Sequence, residues 1–196
     1  MKKNDKIDVL KEIWANIPKS ETEQIPLPPE AIVKKFLNLF HPGEFFYDFF
    51  NIQTLSLEYV SPDIEAVLGY APDELTLSDF LNIMHPDDRD YYISNEKRAT
   101  EFFGKLPQEK LMKYKFSHDF RIMHKNGTYK RLLVQVIPVH FFTDGGARTL
   151  SVLTDISYLK MHGRPQLSFI GMEGEPSFYN VGHDEAFRAV SIPVSK

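Results

Sequence analysis

The chain has 196 residues, 42% of them hydrophobic and 13% aromatic, with sixteen Phe and a net charge of −4; this is enough for one cored domain with appendages, or at most two small domains. It has no cysteine, which excludes disulfides, thiolate nucleophiles, cysteine-ligated zinc and iron–sulfur clusters, and its acidic balance argues against direct nucleic-acid binding. No apolar run approaches the ~20 residues of a membrane helix, and none follows the basic start Met1-Lys2-Lys3, so no membrane contact and no signal peptide are expected and a cytoplasmic location is.

Residues 5–16 read as an amphipathic helix, because Ile7, Leu10, Ile13 and Trp14 recur at helical spacing between charges. Pro18, Pro26, Pro28 and Pro29 make residues 18–29 an extended linker. Pro29 also suits a first helical turn, and Ile32, Val33, Phe36, Leu37 and Phe40 then form one apolar face that ends at His41-Pro42-Gly43. Phe45 to Phe50 and Thr54 to Tyr59 read as strands joined near Asn51. Ser61-Pro62-Asp63 is a helix start, with Ser as cap, and Gly69 stops that helix. A second short helix runs from about Ser78 to Met84. Pro86 starts a longer one, with Tyr91, Asn95, Ala99 and Phe102 on one face and its end near Gly104.

Phe116 to His124 and Thr128 to Phe142 have the composition of strands, and Asn126-Gly127 between them signals a type I′ hairpin. Asp144-Gly145 marks a second hairpin leading to Leu150–Ile156. The three strands make an antiparallel meander. Gln166–Ile170 and Ser177–Val181 flank Glu173-Gly174-Glu175 as a further hairpin, and the tail from Gly182 has little pattern.

Three motifs in this order carry a family resemblance: Tyr59-Val60-Ser61-Pro62, Leu68-Gly69-Tyr70-Ala71-Pro72-Asp73-Glu74-Leu75, and His85-Pro86-Asp87-Asp88. With the meander and the closing Asp155-Ile156-Ser157, residues 41–160 resemble a PAS sensor domain. The resemblance implies an α+β fold: a five-stranded antiparallel sheet with helices on one face. To this the chain adds N-terminal helices and a linker (1–40) and a C-terminal hairpin extension and tail (161–196). It also implies a ligand, where there is one, between sheet and helices, and an acidic Asp155 that pairs with a basic group and couples the sheet to the outgoing chain. Ser157 stands where the family's motif has Thr, and keeps the hydroxyl.

Strand alternation puts Phe116, His118, Phe120 and Ile122 on one face and the more polar Ser117, Asp119, Arg121 and Met123 on the other, so the first set is expected to face the helices. Leu132 and Val134 complete the candidate pocket lining, although both faces of their strand are largely apolar and its facing stays open. An ordinary filled core explains these residues equally well. His118 is the one titratable group of the set, able to bond a ligand or to lie half exposed at a sheet edge. The long helix has no His, which argues against haem, and the lack of cysteine excludes cysteinyl-flavin photochemistry. Asp87-Asp88 read as a solvated helix start.

No phosphate loop, His-Glu-x-x-His or Gly-x-Ser-x-Gly motif is present, so no catalytic or metal-binding residue is assigned and no enzyme is expected. The expectation is a sensory module that binds a small molecule or partner and signals to a helix-turn-helix or kinase effector outside this chain. The alternatives are a ligand-free dimerisation platform, separable by the presence of an interior cavity, and a ligand-binding α+β enzyme, which would need convergent polar groups there. The apolar face of the helix at Pro29–Phe40 predicts a homodimer.

Overall fold

The Phe-rich run after His41-Pro42-Gly43 forms the first strand, β1 (Phe45–Asn51), which turns back into β2 (Ser56–Val60). Three helices follow: α1 (Ile64–Leu68), α2 (Leu77–Ile83) and α3 (Pro86–Gly104). A 3-10 turn at Gln108–Lys113 leads to β3 (Tyr114–Met123), β4 (Tyr129–Phe141), β5 (Ala147–Asp155) and β6 (Leu167–Gly171). The computed structural model describes residues 39–143 and 146–182. The helix expected over 5–16, the Pro-rich linker, the helix from Pro29 up to residue 38, the Asp144-Gly145 turn and the tail from 183 lie outside the described residues. No helix among the described residues is long and apolar enough to cross a membrane.

All strands are antiparallel neighbours in one sheet, in the order β2-β1-β5-β4-β3-β6. The sheet therefore has six strands, not five. The extra one is the first arm of the C-terminal extension, which pairs with Tyr114–His118 on the edge of β3. The second arm does not form a full strand; Phe178 makes an isolated bridge to Phe169.

Cross-strand register decides which side chains share a face. One inner row is Phe46–Leu153–Val134–His118–Leu167, and the next is Asp48–Ser151–Val136–Phe116–Phe169. The helices cover this face. Ile64, Val67 and Leu68 of α1, Met84 after α2, and Ala99 and Phe102 of α3 are buried with it in one core. Phe102 stacks on Phe169 at 4.1 Å between ring centroids, so the extension supplies part of the core.

Two local expectations fail for identifiable reasons. Ser61 does not cap α1. Its hydroxyl accepts from the Tyr47 amide at 3.2 Å, tying the helix start to β1 instead, and the cap position at Asp63 has no side-chain bond. The Asn126-Gly127 hairpin is not type I′: only Gly127, at φ 87°, is left-handed. The Gly127 amide donates to His124 O at 2.8 Å and the His124 amide to Thr128 O at 2.8 Å. This is a three-residue loop, a type I turn closed by a left-handed glycine, in which Asn126 keeps ordinary φ and accepts from Thr128 through its side chain. By contrast α2 and α3 start as helix-capping chemistry requires. Thr76 and Asp79 form a reciprocal capping box, and Pro86 occupies the first turn of α3 while His85 Nδ1 accepts from the Asp87 amide.

Candidate functional site

The six residues singled out as pocket lining all lie buried on the inner face. Phe116, His118, Phe120 and Ile122 come from β3, and Leu132 and Val134 stand opposite Phe120 and His118 on β4. They do not form one uniform surface. Phe120, Ile122 and Leu132 are 0–2% exposed under α1 and α2. Phe120 meets Phe80 of α2 edge-on at 5.8 Å, and Ile122 bridges Met84. Further along the sheet, the row Asp48, Ser151, Val136 and Phe116 retains 7–9% exposure.

His118 is not at an edge, because β6 pairs on its outer side, and it is 2% exposed. Its ring stacks on Tyr92 of α3 at 5.5 Å and meets Phe120 edge-on at 5.2 Å. Burial pushes its imidazole down to about 4, with Asp119 opposing weakly, so the ring is neutral near pH 7. Nε2 lies 3.9 Å from a carboxylate oxygen of Glu96, and Nδ1 has no hydrogen-bond partner. The amide nitrogen of Asn95, also buried, has none either.

Sequence reasoning missed most of the polar groups around His118. Helix periodicity put Tyr91 on the inner stripe with Asn95, Ala99 and Phe102; the structure turns Tyr92 into the core instead. Glu96 follows Tyr92 by four residues, on the same side of the helix. Its side chain is 42% exposed, yet burial pushes its carboxyl up to about 7. Asp48 of β1 points to the same interior. Burial pushes it up to about 7, and a bond to Ser151 offsets this only in part. Tyr92 is raised by burial first and then by Glu96 and Asp48, so its hydroxyl senses both carboxyls. One signal was readable: Asp48 is the only charged residue in the run Phe45–Phe50.

Two other polar assemblies have structural roles. Asp88 is not part of a solvated helix start: it is 1% exposed and accepts from the backbone amide, Nε and Nη2 of Arg121 at 2.8, 2.9 and 2.6 Å. Burial alone would raise its carboxyl, but the Arg121 bonds outweigh this and hold it below the usual range. A surface pocket of about 280 Å³ lies beside this pair, lined also by Asp87, Tyr91, Gly163, Arg164 and Pro165, and in it Arg121 pairs with Asp87 as well as with Asp88. On the outer sheet face, Asp119 pairs with buried Arg131 and with Lys160 Nζ at 2.8 Å, and Arg131 donates to Gly163 O at 2.9 Å. These bonds fasten the segment after β5 to the sheet. At its start, Asp155 pairs with Lys130 at 3.0 Å and accepts from the Ser157 amide and hydroxyl at 2.9 and 2.6 Å.

Residues 57–152 match the family described as the PAS fold. The Period circadian protein of Manduca sexta is 32% identical over 77 residues, a stretch that is 39% of this chain and 19% of that protein. The chain thus spans less than a fifth of that relative's length. Among solved structures, the N-terminal domain of a diguanylate cyclase with PAS/PAC sensor from Marinobacter aquaeolei is 24% identical, with 60% of this chain and 99% of that one covered and a TM-score of 0.46. The PAS domain of a protein from Colwellia psychrerythraea is 18% identical, with 65% and 98% covered and a TM-score of 0.43.

Proposed function

Residues 57–152 form a PAS domain, and from that premise we propose that the protein is a sensory module whose interior, between the sheet and α3, takes a small molecule. Occupancy is relayed through the segment after β5, which Asp155–Lys130 and Asp119–Arg131–Lys160 fasten to the sheet, to a helix-turn-helix or kinase effector. The observation that carries this reading is His118. A 2%-exposed imidazole with an unpaired Nδ1, beside a second unpaired buried amide at Asn95, calls for a hydrogen-bonding guest. Such a site has the usual make-up of a ligand pocket, with apolar walls and a few placed polar groups.

Native mass spectrometry of the protein purified from its own host tests the reading. A small molecule that leaves on unfolding and whose binding His118→Phe abolishes supports it. A bare protein that binds no compound from a metabolite screen defeats it.

The dimerisation platform is the second reading. Leu39 and Phe40, at the end of the predicted apolar helix, are strongly exposed, and Phe120 meets both Phe80 and Tyr92 edge-on in the core. Sedimentation at high micromolar concentration separates the readings. A dimer weakened by Phe40→Asp favours the platform; a monomer rules it out.

A further inference from the structure

We propose that the surface recess between the start of α3 and Gly163–Pro165 is the docking site of this chain's own continuation past Gly182, with His183-Asp184-Glu185 laid along Gly163–Pro165 and the Asp184 carboxylate on Arg164. This goes beyond the sensory reading above and stands whether or not the interior takes a small molecule.

The recess, of about 280 Å³, has two fixed walls. On one side the bonds from Arg121 to Asp88 hold the first turn of α3. On the other, Gly163 O accepts from Arg131 at 2.9 Å, Arg164 O accepts from Lys160 Nζ at 2.8 Å, and the Gln166 amide donates to Asp119 at 2.9 Å. Tyr91 and buried Pro165 supply apolar surface between them. The charges are balanced except for one. Asp88 and Arg121 satisfy one another, and Asp87 lies 3.7 Å from Arg121 and 3.7 Å from His85. Arg164 is exposed, and no carboxylate among the described residues pairs with it.

The course of the C-terminal hairpin selects the occupant. Its second arm runs antiparallel to β6: Phe178 and Phe169 exchange backbone bonds at 2.7 and 2.8 Å. At Asn180, left-handed at φ 49°, the arm gains one residue, so that the Val181 amide donates to Leu167 O at 2.7 Å. Gly182 O then accepts from Arg98 of α3, so the arm leaves between α3 and the stretch before β6. Continued residue for residue, this pairing sets Gly182 opposite Gln166, His183 opposite Pro165 and Asp184 opposite Arg164, and it turns the His183 amide toward Pro165 O. The sequence thus delivers a carboxylate to the one cation of the recess that lacks a partner. A free anion would meet Asp87 and Asp88 beside Arg164; a tethered carboxylate arrives at high effective concentration in a set orientation. An exposed ion pair is weak by itself, so Arg164 fixes the register while backbone pairing and the apolar wall hold the arm. Docked this way, the outgoing chain is joined to the start of α3 and to the segment that Asp119 and Arg131 fasten to the sheet.

The test is amide hydrogen exchange of the full chain, followed by NMR at two protein concentrations. The His183 amide should exchange roughly tenfold or more slowly than in a free peptide of residues 183–188, equally at both concentrations. Arg164→Glu sets like charges opposite one another and should return that amide to the rate of the peptide. Adding Asp184→Arg to Arg164→Glu reverses the pair and should restore most of the protection. Arg164 is exposed and its side chain bonds nothing among the described residues, so circular dichroism should show both variants folded. Three results overturn the proposal: peptide-like exchange in the parent, protection indifferent to Arg164→Glu, or no recovery in the reversed pair. Protection that grows with protein concentration overturns it too, because the recess then holds the arm of a second copy.

Discussion

Asp48 is a carboxyl in a strand otherwise made of aromatic residues and Asn51, and its environment fixes how it responds to pH. Burial raises it to about 7 against a partial offset from Ser151. A group whose folded pKa lies above its unfolded value binds its proton more tightly when folded. Its contribution to stability is therefore complete below about pH 4 and lost as pH rises through 7. Asp48→Asn should be more stable than the parent by roughly 2 kcal/mol at pH 8 and nearly equal to it at pH 4, as urea denaturation would show; an equal midpoint at pH 8 would mean that the carboxyl is solvated. His118 acts in the opposite sense, because its folded pKa is lowered to about 4. The stability it brings is present above about pH 6.5 and lost as pH falls through 4. Gly127 is decided by backbone alone. A Cβ there meets nothing within 4 Å, but φ is 87°. Gly127→Val should cost roughly 1–3 kcal/mol, and an unchanged melting temperature would show a relaxed loop. The strain was readable from Asn-Gly between two strands. The turn type was not, because Asn-Gly suits two hairpin forms that differ by one residue of register.

The long helix α3 shows how an element is placed by a few bonds that its own sequence does not advertise. His85-Pro86 and Gly104 marked its ends, and the structure agrees within a residue. Its attachment to β3 depends on Asp88, which takes three hydrogen bonds from Arg121. Asp87, one residue earlier, is 76% exposed. Adjacent acids at a helix start look alike in sequence, and only docking against β3 distinguishes them. Asp88→Asn keeps the shape but removes the charge from a pair whose other member is partly solvated, and should cost roughly 2–3 kcal/mol. The loss should shrink as pH falls below the ordinary carboxylate range, since Asp88 has a lowered pKa and its contribution is lost as pH falls through it. A denaturation series from pH 7 to pH 3 checks both points; a constant difference across it would contradict the ion-pair account.

For the molecule as a whole, the extension after β5 belongs to the core. Leu167 and Phe169 are 1% and 0% exposed, in register with His118 and Phe116. A chain cut after Lys160 should lose both, at roughly 2–5 kcal/mol for each large core side chain, and should expose the edge of β3 to other strands. A lower denaturation midpoint and aggregates in sedimentation are the expected outcome. A truncated protein as stable and dispersed as the full chain would show that β6 is dispensable. Lys110–Glu175 at 2.8 Å ties the same hairpin to the 3-10 turn, so the loss should not be confined to two side chains.

Period-two alternation identified the inner face of β3, because one set of its residues is polar and the other is not. Proline and glycine marked the stop of α1 and both ends of α3, since these depend on local backbone geometry, whereas the Ser61 cap did not hold. The order of motifs was enough to indicate the PAS fold. The facing of β4 could not be read, as both its sides are apolar; pairing with β3 settled it by placing Leu132 against Phe120 and Val134 against His118. The polar groups of the inner face and of α3 were equally hidden. Asp48, Tyr92 and Glu96 lie on two elements far apart in sequence, and Asp48 departs from an ordinary carboxyl only because folding removes water and brings no positive charge to replace it.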